Sequence, residues 1–221
     1  MRRVRWPAAV LLVEVTVVIA AVVVVGLNTP IRRAGTAGVA LGPSSGQQVD
    51  AYLSHAAVLP AAGGPYWALV SLRTELTPTA AAAIPALARL ARVVLQVPIA
   101  RVQTPQLSID VADQGDRAAE LHEAMALAAD QLQRIPAADN RAAAVALISA
   151  ARLRRDCACV LAMLVRGSGE ELQTIAAESQ VRAVQAAPPG TELRTLSVVP
   201  LLPEQATVVG PTPDDGAVPP A

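Results

Sequence analysis

No lysine and no phenylalanine occur among the 221 residues, and aromatic side chains make up 2% of the chain. Arginine fills every basic position except the two histidines, which reads as the codon usage of a GC-rich genome rather than as chemistry. The shortage of aromatics excludes more. Nucleic-acid binding wants a basic face, and single strands also want rings on which bases can stack. The formal net charge is zero, and residues 28–221 carry 15 arginines against 17 acids. No nucleic-acid partner is expected.

Reactive side chains are equally scarce. His55 and His122 are the only histidines and lie far apart, in no H-x-x-x-H or Cys/His ligand spacing. Ser54 precedes His55, but adjacency along the chain does not place a nucleophile beside its base, and no acid completes a triad. Asp110, Asp113 and Asp116 recur every third residue, whereas a calcium-binding EF-hand loop needs alternate positions and a closing Glu. Asp116 reads instead as a helix cap. Gly167-Ser168-Gly169 matches neither phosphate-binding glycine motif, and Ser168 with Glu171 has capping-box spacing. No metal, cofactor or catalytic set is expected, so the chain reads as a non-enzyme.

Cys157 and Cys159 are the only cysteines. On a strand, residues two apart lie near 7 Å between Cα atoms, the limit for a disulfide. They are a candidate redox pair if such a bond forms and is easily reduced. Otherwise they are small buried hydrophobes at a strand entrance, or the source of an intermolecular link.

What the chain has in abundance is one long apolar run. From Pro7 to Leu27 only Glu14 and Thr16 are polar. These 21 residues span roughly 31 Å as a helix, about the hydrocarbon thickness of a bilayer. A cleaved signal has a shorter apolar core, and the small residues Gly35-Thr36-Ala37 lie well beyond this one. A retained single transmembrane helix, 7–27, is therefore expected. Arg2, Arg3, Arg5 and the amino terminus precede it, against Arg32 and Arg33 after it. The positive-inside bias keeps residues 1–6 in the cytoplasm and puts the rest outside. Glu14 lies about three residues from mid-span, where an acid costs roughly 2.5–3.5 kcal/mol. It is a candidate intramembrane contact to a polar group on another helix, or an acid that a Val-rich span tolerates.

Beyond the anchor, residues 28–48 read as a flexible linker and the Pro-rich 203–221 as a disordered tail. Between them, 49–202 reads as one α+β domain. Asp50 caps a short helix over 51–59. "YWALVSL" is a buried-strand pattern, Thr77-Pro78 a helix start, and Ile84, Leu87, Leu90 and Val94 a helical stripe crossed by Pro85. "RVVLQVPI" and "QLSIDVA" read as strands. Amphipathic helices follow over 116–134 and 140–155, broken at Pro136 and capped by Asp116 and Asp139. "CACVLAMLV", a helix over 169–179, "VRAVQAA" and "LRTLSVVPL" then repeat the first pattern ninety residues on. Val70 falls on Val160, Arg92 on Arg182 and Pro98 on Pro188. Two β-α-β-β units flanking a helical hairpin are expected, able to share one sheet in a ferredoxin-like layout.

The expectation for function is a single-pass cell-membrane protein whose extracytoplasmic domain binds another envelope protein, as scaffold or modulator. The alternative is a membrane-tethered thiol-redox or ligand-sensing domain built on Cys157 and Cys159.

Overall fold

The computed structural model describes residues 38–84, 88–112 and 114–220. The expected anchor, Glu14 and Pro85 lie outside them. Among the described residues no helix is long and apolar enough to cross a membrane.

The domain is mixed α+β. Its main sheet contains β2 (Tyr66–Leu76), β3 (Arg89–Leu95), β4 (Leu107–Asp110), β5 (Val160–Gly167) and β6 (Val181–Ala186), in the order β4-β3-β5-β2-β6. Every neighbouring pair is antiparallel. β2 and β3 therefore run parallel with β5 between them, and β5 and β6 run parallel with β2 between them. Each strand-helix-strand unit straddles the first strand of the other. The central strands are covered on both faces, which is why they read as unbroken apolar runs rather than alternating ones.

One face carries α2 (Pro78–Ala83), the hairpin of α3 (Arg117–Arg134) and α4 (Asn140–Leu153), and α5 (Gly169–Ala176). Their apolar stripes, including Leu121, Met125, Leu153 and Leu172, pack on Val70, Leu72, Met163 and Val165. Full burial of each large side chain is worth about 1.5–3 kcal/mol. Four helix starts are held by the expected groups. Ala80 N–H donates to Thr77 Oγ1 (3.4 Å), Ala119 N–H to Asp116 Oδ1 (3.0 Å) and Ala142 N–H to Asp139 Oδ1 (2.7 Å). Ser168 and Glu171 close a reciprocal capping box.

The other face is covered differently. A two-stranded parallel ribbon of β1 (Val39–Leu41) and β7 (Leu196–Val198) supplies Leu41 and Leu196 to a second core with Leu69, Val94 and Leu164. Helix α1 (Val49–Ala56) packs Tyr52 and Ala56 with Ala183, Leu201 and Val209.

Five expectations change here. The last strand of the second unit leaves the main sheet as β7, because the second apolar face needs a cover. Residues 38–48, expected as linker, form β1 and the turn into α1. Helix α1 starts at Val49, so Asp50 lies in its first turn and caps nothing. Leu90 and Val94 belong to β3, not to a helical stripe.

The fifth is the tail, which is ordered over its described length, 203–220. Val209 exchanges backbone hydrogen bonds with Gly46 and Gln47, at 2.8 and 2.9 Å, and Gln205 is buried with its side chain bonded to Leu202 and Gly210. Prolines lack a donor N–H, so an extended Pro-rich strap can lie on a surface without leaving that donor unpaired.

Candidate functional site

Among the described residues, accessible polar groups meet a defined shape at several places, three of them at the cysteines, the β6 edge and the tail. The first is the cysteine corner. After α4 the chain turns through Asp156, whose φ of 56° is left-handed, and enters β5 at Val160. Cys157 and Cys159 form a disulfide with their Cα atoms 5.3 Å apart. The extended separation expected for two residues on a strand does not apply, because the pair lies in the bend ahead of β5. Cys159 is fully buried, its N–H donating to Leu76 O (3.0 Å) and its carbonyl accepting from Gln96 N–H (2.9 Å). Cys157 is partly exposed. Beside it, Asp156 Oδ1 lies 3.4 Å from His122 Nε2 on α3, so His122 has a charged neighbour that its sequence position did not reveal.

The second place is the outer edge of β6. Here α1 lies over one face of the sheet and α5 over the other, and residues 57–64 pass between them. A groove of about 440 Å³ is lined by Leu53, Ala56, Leu59, Ala183 and Val184, with Arg73 and Arg182 at one end. Arg73 sits beside β6, its N–H bonded to Gln180 O (2.9 Å) and its Nε–H to Ser179 O (3.1 Å). Arg182 donates to the carbonyls of Leu202 (2.6 Å), Pro203 (3.2 Å) and Gln205 (2.5 Å). Burial, and then repulsion from Arg73, lower the Arg182 pKa, while Glu204 opposes the shift. Burial raises the carboxyl of nearby Glu75. Of these four charges only the two arginines line the groove. Like charges side by side on adjacent strands destabilise a sheet, and no carboxylate within ion-pair reach neutralises either one among the described residues. On the far side of Leu59 a second hollow, about 590 Å³, continues along Gln185, Ala186 and Ala187, with His55 and the 79%-exposed Val58 on its rim.

The third place is a basic platform under the tail, formed by the β3–β4 loop and the start of α4. Arg101 pairs with Asp215 through Nε (2.7 Å) and also through Nη2, and Arg141 pairs with Asp214 (3.0 Å). Gln103 N–H donates to Asp214 Oδ1 (3.0 Å), and its side-chain amide donates to Thr212 O. Gly216 N–H donates to Arg101 O (2.7 Å). A Cβ on Gly216 would lie 2.4 Å from Ala100 O, so only glycine allows this approach. Both aspartates are held below the usual carboxyl value, Asp214 chiefly by the Gln103 N–H and then Arg141, Asp215 chiefly by Arg101.

The other residues singled out in the sequence stay apart. Ser54 Oγ donates back to Asp50 O (2.8 Å) and does not face His55 as a nucleophile would. Asp110 pairs with Arg92 at 2.6 Å, and Ser168 is occupied in its capping box. Among the described residues no group of three or more His, Cys, Asp or Glu is placed to hold a metal ion. The β6 groove and the platform were missed because their residues come from distant segments, 73 with 182 and 101 with 141 and 214. The run Pro-Thr-Pro-Asp-Asp-Gly was the available signal for the platform.

Comparison with known protein families, with curated proteins and with solved structures finds no match to the chain.

Proposed function

We propose that the chain is a single-pass envelope protein, anchored through residues 7–27 with its N-terminus in the cytoplasm, whose outer domain binds another protein. The observation that carries the binding reading is the outer edge of β6. Residues 57–64 cross this edge, so an occupant lies beside β6 in the hollows rather than as an added strand, with selectivity from side-chain pockets. The hollows on either side of Leu59 are the apolar pockets, and Arg73 offers guanidinium protons to an acidic side chain. The occupant is an extended partner segment with apolar side chains and one acid. The interleaved strand order supports a ferredoxin-like layout for the domain, which by itself implies no activity.

A photoreactive residue in place of Val58, at the rim of this edge, tests the reading in intact membranes. The same residue in place of Leu147, 56% exposed on α4, serves as the control. A discrete crosslinked protein at Val58 and none at Leu147 is expected. Equal or absent crosslinking at both would remove the groove as the binding surface.

A thiol-redox reading is favoured by one observation, the partly exposed Cys157 bonded to Cys159. Two free thiols in the protein isolated under native conditions with alkylation would support it. A fully oxidised pair under all growth conditions would leave the disulfide structural.

A further inference from the structure

We propose that the platform of Arg101, Gln103 and Arg141 is a receptor surface for an extended acidic segment of a partner protein, and that the chain's own residues 212–216 mask it at rest. The inference takes from the partner-binding reading only that the occupant is a protein. It concerns a different face of the domain from the β6 edge.

The seated tail shows what the surface recognises. Each of two consecutive carboxylates meets its own guanidinium, Asp214 at Arg141 and Asp215 at Arg101. One backbone N–H, from Gln103, donates to the first carboxylate. The carbonyls of Asp214 and Gly216 both accept from Arg141, and the Gly216 N–H closes on Arg101 O. An extended Asp-Asp-Gly segment is therefore read by charge, by main chain and by the absence of a Cβ. Arg101 holds a left-handed φ of 57° while doing so, a conformation rare for a residue other than glycine, asparagine or aspartate. Exposed ion pairs contribute little to folding, so this set is poorly explained as a brace. The Arg101 and Asp215 side chains are 61% and 63% exposed, which leaves them open to exchange.

The strap also sets how the platform is masked. Val209 is docked against the turn before α1, and four residues, Gly210 to Pro213, separate it from Asp214. The five Cα–Cα steps between Val209 and Asp214 reach about 17 Å fully extended, so a docked Val209 keeps the two carboxylates close to their own platform. In cis the same short strap gives an effective concentration in the millimolar range. A partner must displace the tail, which makes the site selective for a segment that matches it or is itself tethered nearby.

The test uses the full chain in detergent and a labelled peptide of residues 210–217, GPTPDDGA, as probe. Asp214→Asn with Asp215→Asn vacates the platform, and adding Arg101→Gln with Arg141→Gln destroys it. The vacated chain is expected to bind the peptide at least tenfold tighter than wild type, binding should weaken with added salt, and the fourfold variant should lose it. Hydrogen exchange supplies the control: Gly216 N–H should lose protection in the vacated chain while the amides of β2 and β5 keep theirs. Peptide binding no tighter to the vacated chain than to the fourfold variant would overturn the proposal. So would a Gly216 amide that stays protected without the two carboxylates.

Discussion

At the scale of single residues, the buried polar atoms are the informative ones. Tyr52 is 1% exposed, and burial pushes its hydroxyl up to about 12 despite the Ser71 side chain beside it. Among the described residues that hydroxyl has no hydrogen bond of normal geometry, while Ser71 Oγ accepts from Leu201 N–H at 3.3 Å. An enclosed hydroxyl without a partner contributes nothing to offset its desolvation. Tyr52→Phe should leave stability unchanged or raise it by about 1 kcal/mol, while Tyr52→Ala should cost about 3–5 kcal/mol through the cavity in the α1 core. Urea midpoints of the two variants check this. The disulfide invites a similar test. It closes a loop of three residues, for which the chain-entropy relation gives about 1.5 kcal/mol. Replacing both cysteines by serine should cost that amount plus the lost packing of Cys159, at most about 3 kcal/mol, with the fold intact. A collapse of the fold in the double variant would show that the bond, not the sheet, organises the entrance to β5.

At the scale of elements, local chemistry was the most legible. Thr77, Asp116, Asp139 and Ser168 were each readable as caps, because a capping side chain and its N–H lie within one turn of sequence. The apolar runs of β2 and β5 and the stripes of α3 and α4 were readable for the same reason. The cover of the second face was not. Leu41 and Leu202 sit in stretches broken by Gly and Pro, and although the run holding Leu196 reads as a strand, only tertiary packing places it over the second face. The tail misled most, since its composition signals disorder while its order comes from long-range partners.

Arg182 is the clearest case of such a partner. Its three carbonyl contacts fix residues 202–205 against β6. Hydrogen bonds from a charged group contribute about 1.5–3 kcal/mol each at best, and shared geometry reduces the sum. Arg182→Gln should therefore destabilise by about 2–4 kcal/mol. Exchange protection should fall first at the Gln205 amide, which bonds Leu202 O at 3.1 Å. An unchanged Gln205 amide would place the anchor of this turn elsewhere, with Gln205 itself the next candidate.

At the scale of the whole molecule, acidification and the anchor give separate predictions. Asp214 and Asp215 are held below the usual 3.8. A depressed folded pKa contributes stability above the unfolded value, and that contribution is lost as pH falls through the folded one. Closure of the tail on the platform should thus be constant from neutral pH to about 5 and weaken below about 4, where unfolded carboxyls begin to hold protons. Gly216 exchange reads this directly, after correction for the intrinsic rate. Loss of protection well above pH 5 would point to a different titrating group.

The anchor prediction turns on Glu14. With residues 7–27 spanning the membrane and the N-terminus inside, protease added to spheroplasts should digest the domain from outside, while protein isolated from undigested cells should remain with the membranes. A soluble form beginning near residue 38 would instead identify a cleaved signal. Given the anchor, a carboxylate near mid-span persists either because something pairs with it or because a Val-rich helix tolerates it. Glu14→Leu removes a cost of roughly 2.5–3.5 kcal/mol, so insertion should improve in both cases. The cases part at the neighbour. A polar group on a second helix would be stranded in hydrocarbon by the substitution, and the association should fail although the mutant inserts better. Membrane proteins that co-purify with wild type and mutant at matched expression decide between them. Loss of one specific partner would extend the proposed binding role from the outer domain into the bilayer. An unchanged set would sink the pairing and leave the proposed partner recognition to the folded domain alone.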